Sequence, residues 1–246
     1  MSGSLPVPEE SGREAVVLYA LTGAAGGLVE AALARLPESE RAQAARFRWP
    51  EDRRDFALAH LLLRHCLERS TGRRKVSLAV GEFGKPDLEP AHGDPPLRFN
   101  ISHARGCVAC ALVRGGEIGV DVEDAAQAGP RHEVAESVFS DEERRLLAGL
   151  DEARRREAFV AMWTMKEAVI KADGRGLGMK LQGFSVDPDR CRLRFEGEGE
   201  ASGWRLARHD VETFRLAVAL KGARLPEHVL WERVELAGLL DRRGRR

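Results

Sequence analysis

Cys107-Val108-Ala109-Cys110-Ala111-Leu112-Val113-Arg114-Gly115-Gly116-Glu117-Ile118-Gly119-Val120-Asp121-Val122-Glu123 holds two apolar, strand-like runs around a pair of glycines. The pattern predicts strands over Cys107 to Val113 and Glu117 to Glu123, joined as a hairpin by Gly115-Gly116. In the second strand Asp121 and Glu123 stand at i and i+2, so both carboxylates point to one face. The bland alternative is the polar face of an edge strand. Against it, two carboxylates so placed repel unless a cation or water screens them.

Downstream lies Trp163-Thr164-Met165-Lys166-Glu167-Ala168-Val169-Ile170-Lys171, where Trp163, Glu167 and Lys171 are spaced by four. A helix stacks them in one row. Glu167 and Lys171 alone would read as an ordinary surface ion pair, but a tryptophan in the same row implies partial burial. Three carboxylates converging with a lysine suit Mg²⁺-assisted phosphoryl transfer, which needs hard oxygen ligands, a base and a cation for the phosphate.

Around these two stretches the chain reads as an alternation of helices and strands. Val16 to Leu21 suggests a first strand, Leu28 to Leu36 a helix, and Pro37-Glu38-Ser39-Glu40 the start of another helix carrying Arg41, Arg46 and Arg48. A longer helix is expected from Asp52 to Glu68, with Phe56, Ala59, Leu63 and Leu67 on its buried stripe. Gly84-Lys85-Pro86 and Pro90 to Pro96 read as loops. Ser140 with Glu143 has the form of a capping box, and a helix from Ala153 to Ala172 stops at Gly174. Strands are expected at Phe184 to Val186, Arg192 to Phe195 and Phe214 to Leu220, with Asp241 to Arg246 as a frayed tail. The run Phe214-Arg215-Leu216-Ala217-Val218-Ala219-Leu220 rhymes with Cys107 to Val113, which suggests a duplicated α+β unit with the site between its halves.

Composition narrows the functional classes. The net charge is zero, which provides no global basic field for nucleic acid. No apolar run approaches the roughly 18–20 residues of a membrane span. The first residues lack the basic and apolar regions of a signal peptide, and four cysteines in 246 residues are no disulfide framework. A cytoplasmic protein is expected. Among the remaining motifs, Cys107-x-x-Cys110 puts its thiols on opposite strand faces and reads as core. His60 and His65, five apart on a helix, form no metal pair. Ser102-His103, in Phe99-Asn100-Ile101-Ser102-His103, is no hydrolase elbow, and His103 could bond either a phosphate or a backbone carbonyl. Gly174-Arg175-Gly176-Leu177-Gly178 lacks the lysine of a P-loop and reads as a helix stop, then as a substrate-contact loop.

Taken in order, Gly84-Lys85-Pro86, Phe99-Asn100-Ile101-Ser102-His103, Gly119-Val120-Asp121-Val122-Glu123 and Trp163 through Lys171 to Leu177 resemble the surfactin-synthetase type of 4′-phosphopantetheinyl transferase. The resemblance spans Pro37 to Leu220 and implies two similar α+β lobes related by a pseudo-two-fold axis. The expected division is an N-terminal segment over 1–14, lobes over 15–116 and 117–225, and a C-terminal extension over 226–246. It implies a reaction in which coenzyme A gives its phosphopantetheine to a serine of an apo acyl or peptidyl carrier protein, releasing adenosine 3′,5′-bisphosphate. Asp121, Glu123 and Glu167 would hold Mg²⁺, for which Mn²⁺ can substitute. Glu167 would take the serine proton, and Lys171 would stabilise the phosphoryl under attack. Ser102, His103, Lys85, Pro86, Asp121 and Lys171 would contact coenzyme A, with His103 at the 3′-phosphate. Where the family has an arginine just before the apolar run of the first long helix, this chain has Asp55, which passes the phosphate contact to Arg54 or Arg46. A monomer is expected, with no nucleic-acid or membrane partner. Two rivals are a Mg²⁺-dependent phosphodiesterase or pyrophosphatase and a non-catalytic relative that only binds carriers.

Overall fold

The computed structural model describes residues 14–23, 25–73, 76–80, 86–88, 96–127 and 132–241. Lys85, Gly84 and the segment from Pro90 to Pro95 lie outside the described residues, as do the N-terminal segment through residue 13 and the tail from 242. The first lobe runs β1 (Glu14–Leu21), α1 (Val29–Leu33), α2 (Glu38–Ala44), α3 (Pro50–Thr71), β2 (Leu78–Val80), β3 (Pro86–Leu88), β4 (Leu97–Ala104) and β5 (Cys107–Arg114). The second repeats the order with β6 (Glu117–Asp124), α4 (His132–Val138), α5 (Asp141–Ala148), α6 (Glu152–Asp173), β7 (Phe184–Asp187), β8 (Arg192–Phe195), β9 (Trp204–Val211) and β10 (Phe214–Lys221). Then β11 (His228–Arg233) and α7 (Leu236–Asp241) close the chain.

The duplication is visible in the topology. One sheet is ordered β11-β1-β5-β4 and the other β6-β10-β9, so β1-β5-β4 and β6-β10-β9 match strand for strand. Both long helices have 22 residues and end on a left-handed glycine, Gly72 at φ 68° and Gly174 at φ 83°. Glycine carries no Cβ penalty there. The buried ion pairs repeat too. Arg64, the fifteenth residue of α3, grips Glu40, the third of α2. Lys166, the fifteenth of α6, meets Glu143, the third of α5, at 2.7 Å.

Four layers result. Alternate residues of β1 and β5 (Val16, Leu18, Val108, Cys110) pack beneath α3, and the others (Val17, Tyr19, Ala109, Ala111) face the second sheet. There they meet Ile118, Val120, Val122, Leu216 and Val218. Behind that sheet, Ala217 and Ala219 pack toward Met165, Ala168 and Val169 of α6.

Several expectations need correction. The runs around Gly115-Gly116 are not a hairpin: β5 pairs with β1 and β4, whereas β6 pairs with β10 in the other sheet. From Cys107 to Val113 β5 is buried on both faces, as suits a central strand flanked by two others. Gly115, at φ 73°, turns the chain from one sheet to the other. Phe99 to His103, given no element by the sequence pattern, lies within β4. The helix expected over Leu28 to Leu36 is only Val29–Leu33, and α2 ends at Ala44, leaving Arg46 and Arg48 beyond it. Pro86 opens a short strand and is not in a loop. The extension expected from residue 226 supplies β11, which pairs in parallel with β1. Among the described residues no helix is long and apolar enough to cross a membrane.

Candidate active site

Three polar features converge where β4 of the first lobe meets β6 and α6 of the second. On β6, Gly119, Asp121 and Glu123 share the face turned to α6. A Cβ on Gly119 would lie 2.2 Å from the Ala168 carbonyl oxygen and 2.3 Å from the Ala172 nitrogen. That glycine lets the helix press against the strand, which brings the α6 row over the two carboxylates. The Trp163 indole Nε1 donates to Glu123 Oε1 at 2.8 Å, and Lys171 Nζ donates to Asp121 Oδ1 at 2.7 Å. Lys171 also donates to Ser102 Oγ at 2.9 Å, and Ser102 in turn donates to Asp121 Oδ1 at 3.0 Å. Lys171 is therefore paired across elements with Asp121, not along its own helix with Glu167.

The electrostatics follow from this crowding. Burial first, then the Asp121 carboxylate, pushes Glu123 up to about 7, against the Trp163 hydrogen bond and the Lys171 charge. Burial and Asp121 likewise raise Glu167, opposed by Lys171. Asp121 Oδ2 is buried with no hydrogen-bond partner. An unsatisfied carboxylate oxygen near two destabilised carboxylates is a hard-oxygen donor set of net negative charge, which fits a divalent cation. Among the described residues, however, no three His, Cys, Asp or Glu side chains are already gathered as a cation cage.

The structure separates the remaining sequence candidates. Ser102 joins the cluster, but its neighbour His103 emerges on the opposite face of β4, toward the start of α3. Desolvation lowers the His103 pKa; Asp55 opposes this and Lys171 reinforces it. Arg54 is forked onto Asp55, Nε to Oδ1 at 2.8 Å and Nη2 to Oδ2 at 3.0 Å. Asp55 is buried and also accepts from the Thr22 hydroxyl and from Gly106 N–H at 3.1 Å. Arg54 is thus the counterion of a buried carboxylate, whereas Arg46 is exposed beyond α2. Pro86 lines a first-lobe cavity of about 850 Å³ together with Ser39, Gln43, His60 and Arg64. Sequence reading passed over Asn100, whose Oδ1 accepts from Val120 N–H at 2.9 Å across the lobe seam. Its only signal was a polar side chain on the same strand face as Ser102.

Among the described residues the first lobe has no copy of this cluster. The positions of β1 that match Asp121 and Glu123 hold Leu18 and Ala20, and those of α3 that match Trp163, Glu167 and Lys171 hold Leu61, His65 and Arg69. Duplicated architecture here carries one acidic site.

Comparison with known proteins agrees with this two-part layout. Residues 117–220 match the family described as the 4′-phosphopantetheinyl transferase superfamily, and residues 28–113 match "4′-phosphopantetheinyl transferase, N-terminal". The chain is 32% identical to 4′-phosphopantetheinyl transferase Sfp of Bacillus subtilis, across 65% of this chain and 67% of that protein. It is 31% identical to the transferase pptA of Paxillus involutus, across 75% and 76%. It is 33% identical to HetI of a Nostoc species, across 62% and 65%. The chain belongs to the 4′-phosphopantetheinyl transferase family and is an enzyme of that class.

Proposed function

We propose that this protein moves 4′-phosphopantetheine from coenzyme A to the serine hydroxyl of an apo acyl or peptidyl carrier protein, using the cluster of Asp121, Glu123, Glu167, Lys171 and Ser102. The observation that carries the reading is the meeting of Lys171, Ser102 and Asp121 at the lobe seam, beside two carboxylates whose charge is disfavoured. Asp121, Glu123 and Glu167 would hold Mg²⁺, which supplies charge neutralisation for a pyrophosphate under attack.

The chain's own groups account for the rest. Glu167 has its charged form destabilised by burial and by Asp121, so it gains from accepting a proton, as a base for the carrier serine must. Lys171 places an ammonium where negative charge grows on the attacked phosphoryl, and Ser102 holds that ammonium on the β4 side. Trp163 fixes Glu123 through its indole N–H, which limits the carboxylate's rotation. His103, on the α3 side of β4, would read the 3′-phosphate, with Pro86 and Lys85 toward the adenine. The protein is expected to act as a monomer in the cytoplasm. The test is incubation with coenzyme A and a panel of apo carriers, followed by intact mass. A carrier that gains the phosphopantetheine mass with Mg²⁺, but not with EDTA, supports the reading. A water-dependent cleavage of coenzyme A with no carrier gain overturns it.

A further inference from the structure

β1 and β6 occupy matching places in the two lobes, yet their outer edges are treated differently. Each is the first strand of its unit, with the repeat's last strand along one side. Along the other side of β1 runs β11, paired in parallel from Glu14↔His228 to Tyr19↔Arg233. Trp231 of β11 also stacks at 5.2 Å on His209, whose ring bonds the Tyr19 hydroxyl at 3.0 Å, so this seam is filled. Among the described residues no strand is paired to the matching edge of β6 in its sheet, and β4 of the first lobe packs against it instead. Val17, the fourth residue of β1, faces Trp231; its counterpart Val120, the fourth of β6, donates its N–H to the side chain of Asn100.

A buried backbone N–H needs a partner. Val120 is fully buried, and its edge lies at the seam in which Asp121, Ser102 and Lys171 meet. The Asn100 side-chain amide satisfies that N–H where β4 and β6 pack together without strand pairing. The contrast is local: the β9 position that matches Asn100 is Ala207, beside the edge that β11 already serves. Asn100 also sits two residues from Ser102 on the same face of β4, so it pins the backbone directly before Asp121 to the strand that carries Ser102.

We propose that Asn100 is a positioning residue: its amide oxygen takes the place of a strand-pairing partner between β4 and β6 and holds the Asp121–Glu123 segment in register with Ser102 and Lys171. The consequence for turnover rests on the function proposed above; the hold on Val120 does not. The experiment follows Val120 amide hydrogen exchange by NMR in the full chain, together with kcat and KM for coenzyme A. Asn100→Leu, nearly isosteric but without the acceptor, should speed Val120 exchange at least tenfold. It should also lower kcat at least tenfold while KM for coenzyme A changes less than threefold. Asn100→Asp keeps an oxygen at the same place and should restore the protection and most of kcat. The proposal is overturned if Val120 in the wild type exchanges as fast as an exposed edge amide, a result that needs no variant to fold. It is equally overturned if Asn100→Leu speeds exchange and leaves kcat untouched, or if Asn100→Asp fails to restore protection. Wild type that transfers to no carrier would strike the functional reading and leave the exchange result standing.

Discussion

Glu123 shows the tension within the site most directly. Burial and then Asp121 disfavour its charge and push its carboxyl up from the ordinary 4.5 to about 7. A carboxyl raised in the folded state favours folding while it is protonated, and that contribution fades as pH climbs from the lower value through the higher. In the metal-free protein Glu123 should therefore cost stability between about pH 4.5 and 7. Melting curves of wild type and Glu123→Gln across that range should diverge as pH rises, with the variant the more stable at neutral pH. Curves that stay parallel would mean the carboxylates are relieved by water. Glu167→Gln keeps the shape but removes the proton acceptor, so kcat should fall by roughly 10²–10⁴ while the melting temperature holds or rises. A variant that turns over normally would return Glu167 to the status of a surface residue. For His103→Ala, KM should rise for coenzyme A and much less for dephospho-coenzyme A, which lacks the group this ring is proposed to read. Equal losses for both donors would move the anchor elsewhere, toward Arg46 or Lys85.

At the scale of elements, the contact between β6 and α6 decides whether the carboxylates and the helical row meet at all. Gly119 is the point of closest approach, and the atoms a methyl would strike belong to the α6 backbone, which cannot swing aside as a side chain can. Gly119→Ala should destabilise by at least the ~1–3 kcal/mol of an overpacked core and lower transfer further by lifting Glu167 and Lys171 away from β6. Urea denaturation of the variant checks this; an unchanged midpoint would mean the helix shifts freely. The same contact explains what was legible in the sequence. The i,i+2 carboxylates, the i,i+4 row, the capping box at Ser140 and the stop at Gly174 are local patterns, and local geometry delivered them. Pairing is not local. The glycine pair after β5 looks like a hairpin turn because its flanks are strands, and only the competing partners β1 and β10 redirect them. Likewise Lys171 reads as a partner for Glu167 until Asp121 arrives from fifty residues upstream.

For the whole molecule, the two lobes are alike in order, pairing and buried ion pairs but not in how their edges end. The rhyme between Cys107–Val113 and Phe214–Leu220 was readable because both are central apolar strands. The destination of β11 was not, since a half-exposed strand such as His228–Arg233 carries no mark of which edge it joins. Its place beside β1 makes the C-terminal segment part of the first lobe. Val234, Leu236 and Leu239 enter that lobe's core, and Arg35 Nη1 donates to the Leu239 carbonyl at 2.8 Å. A chain ending at Pro226 would leave β1 as an open edge whose residues from Ala15 to Ala20 are now buried. Such an edge offers unpaired N–H and C=O groups to any other chain. The shortened protein should lose cooperative melting in the first lobe and self-associate, seen as a rise in mass by light scattering after size exclusion. The full chain should run as one copy. A shortened chain that stays monomeric with an unchanged melting temperature would show that β11 only decorates the sheet.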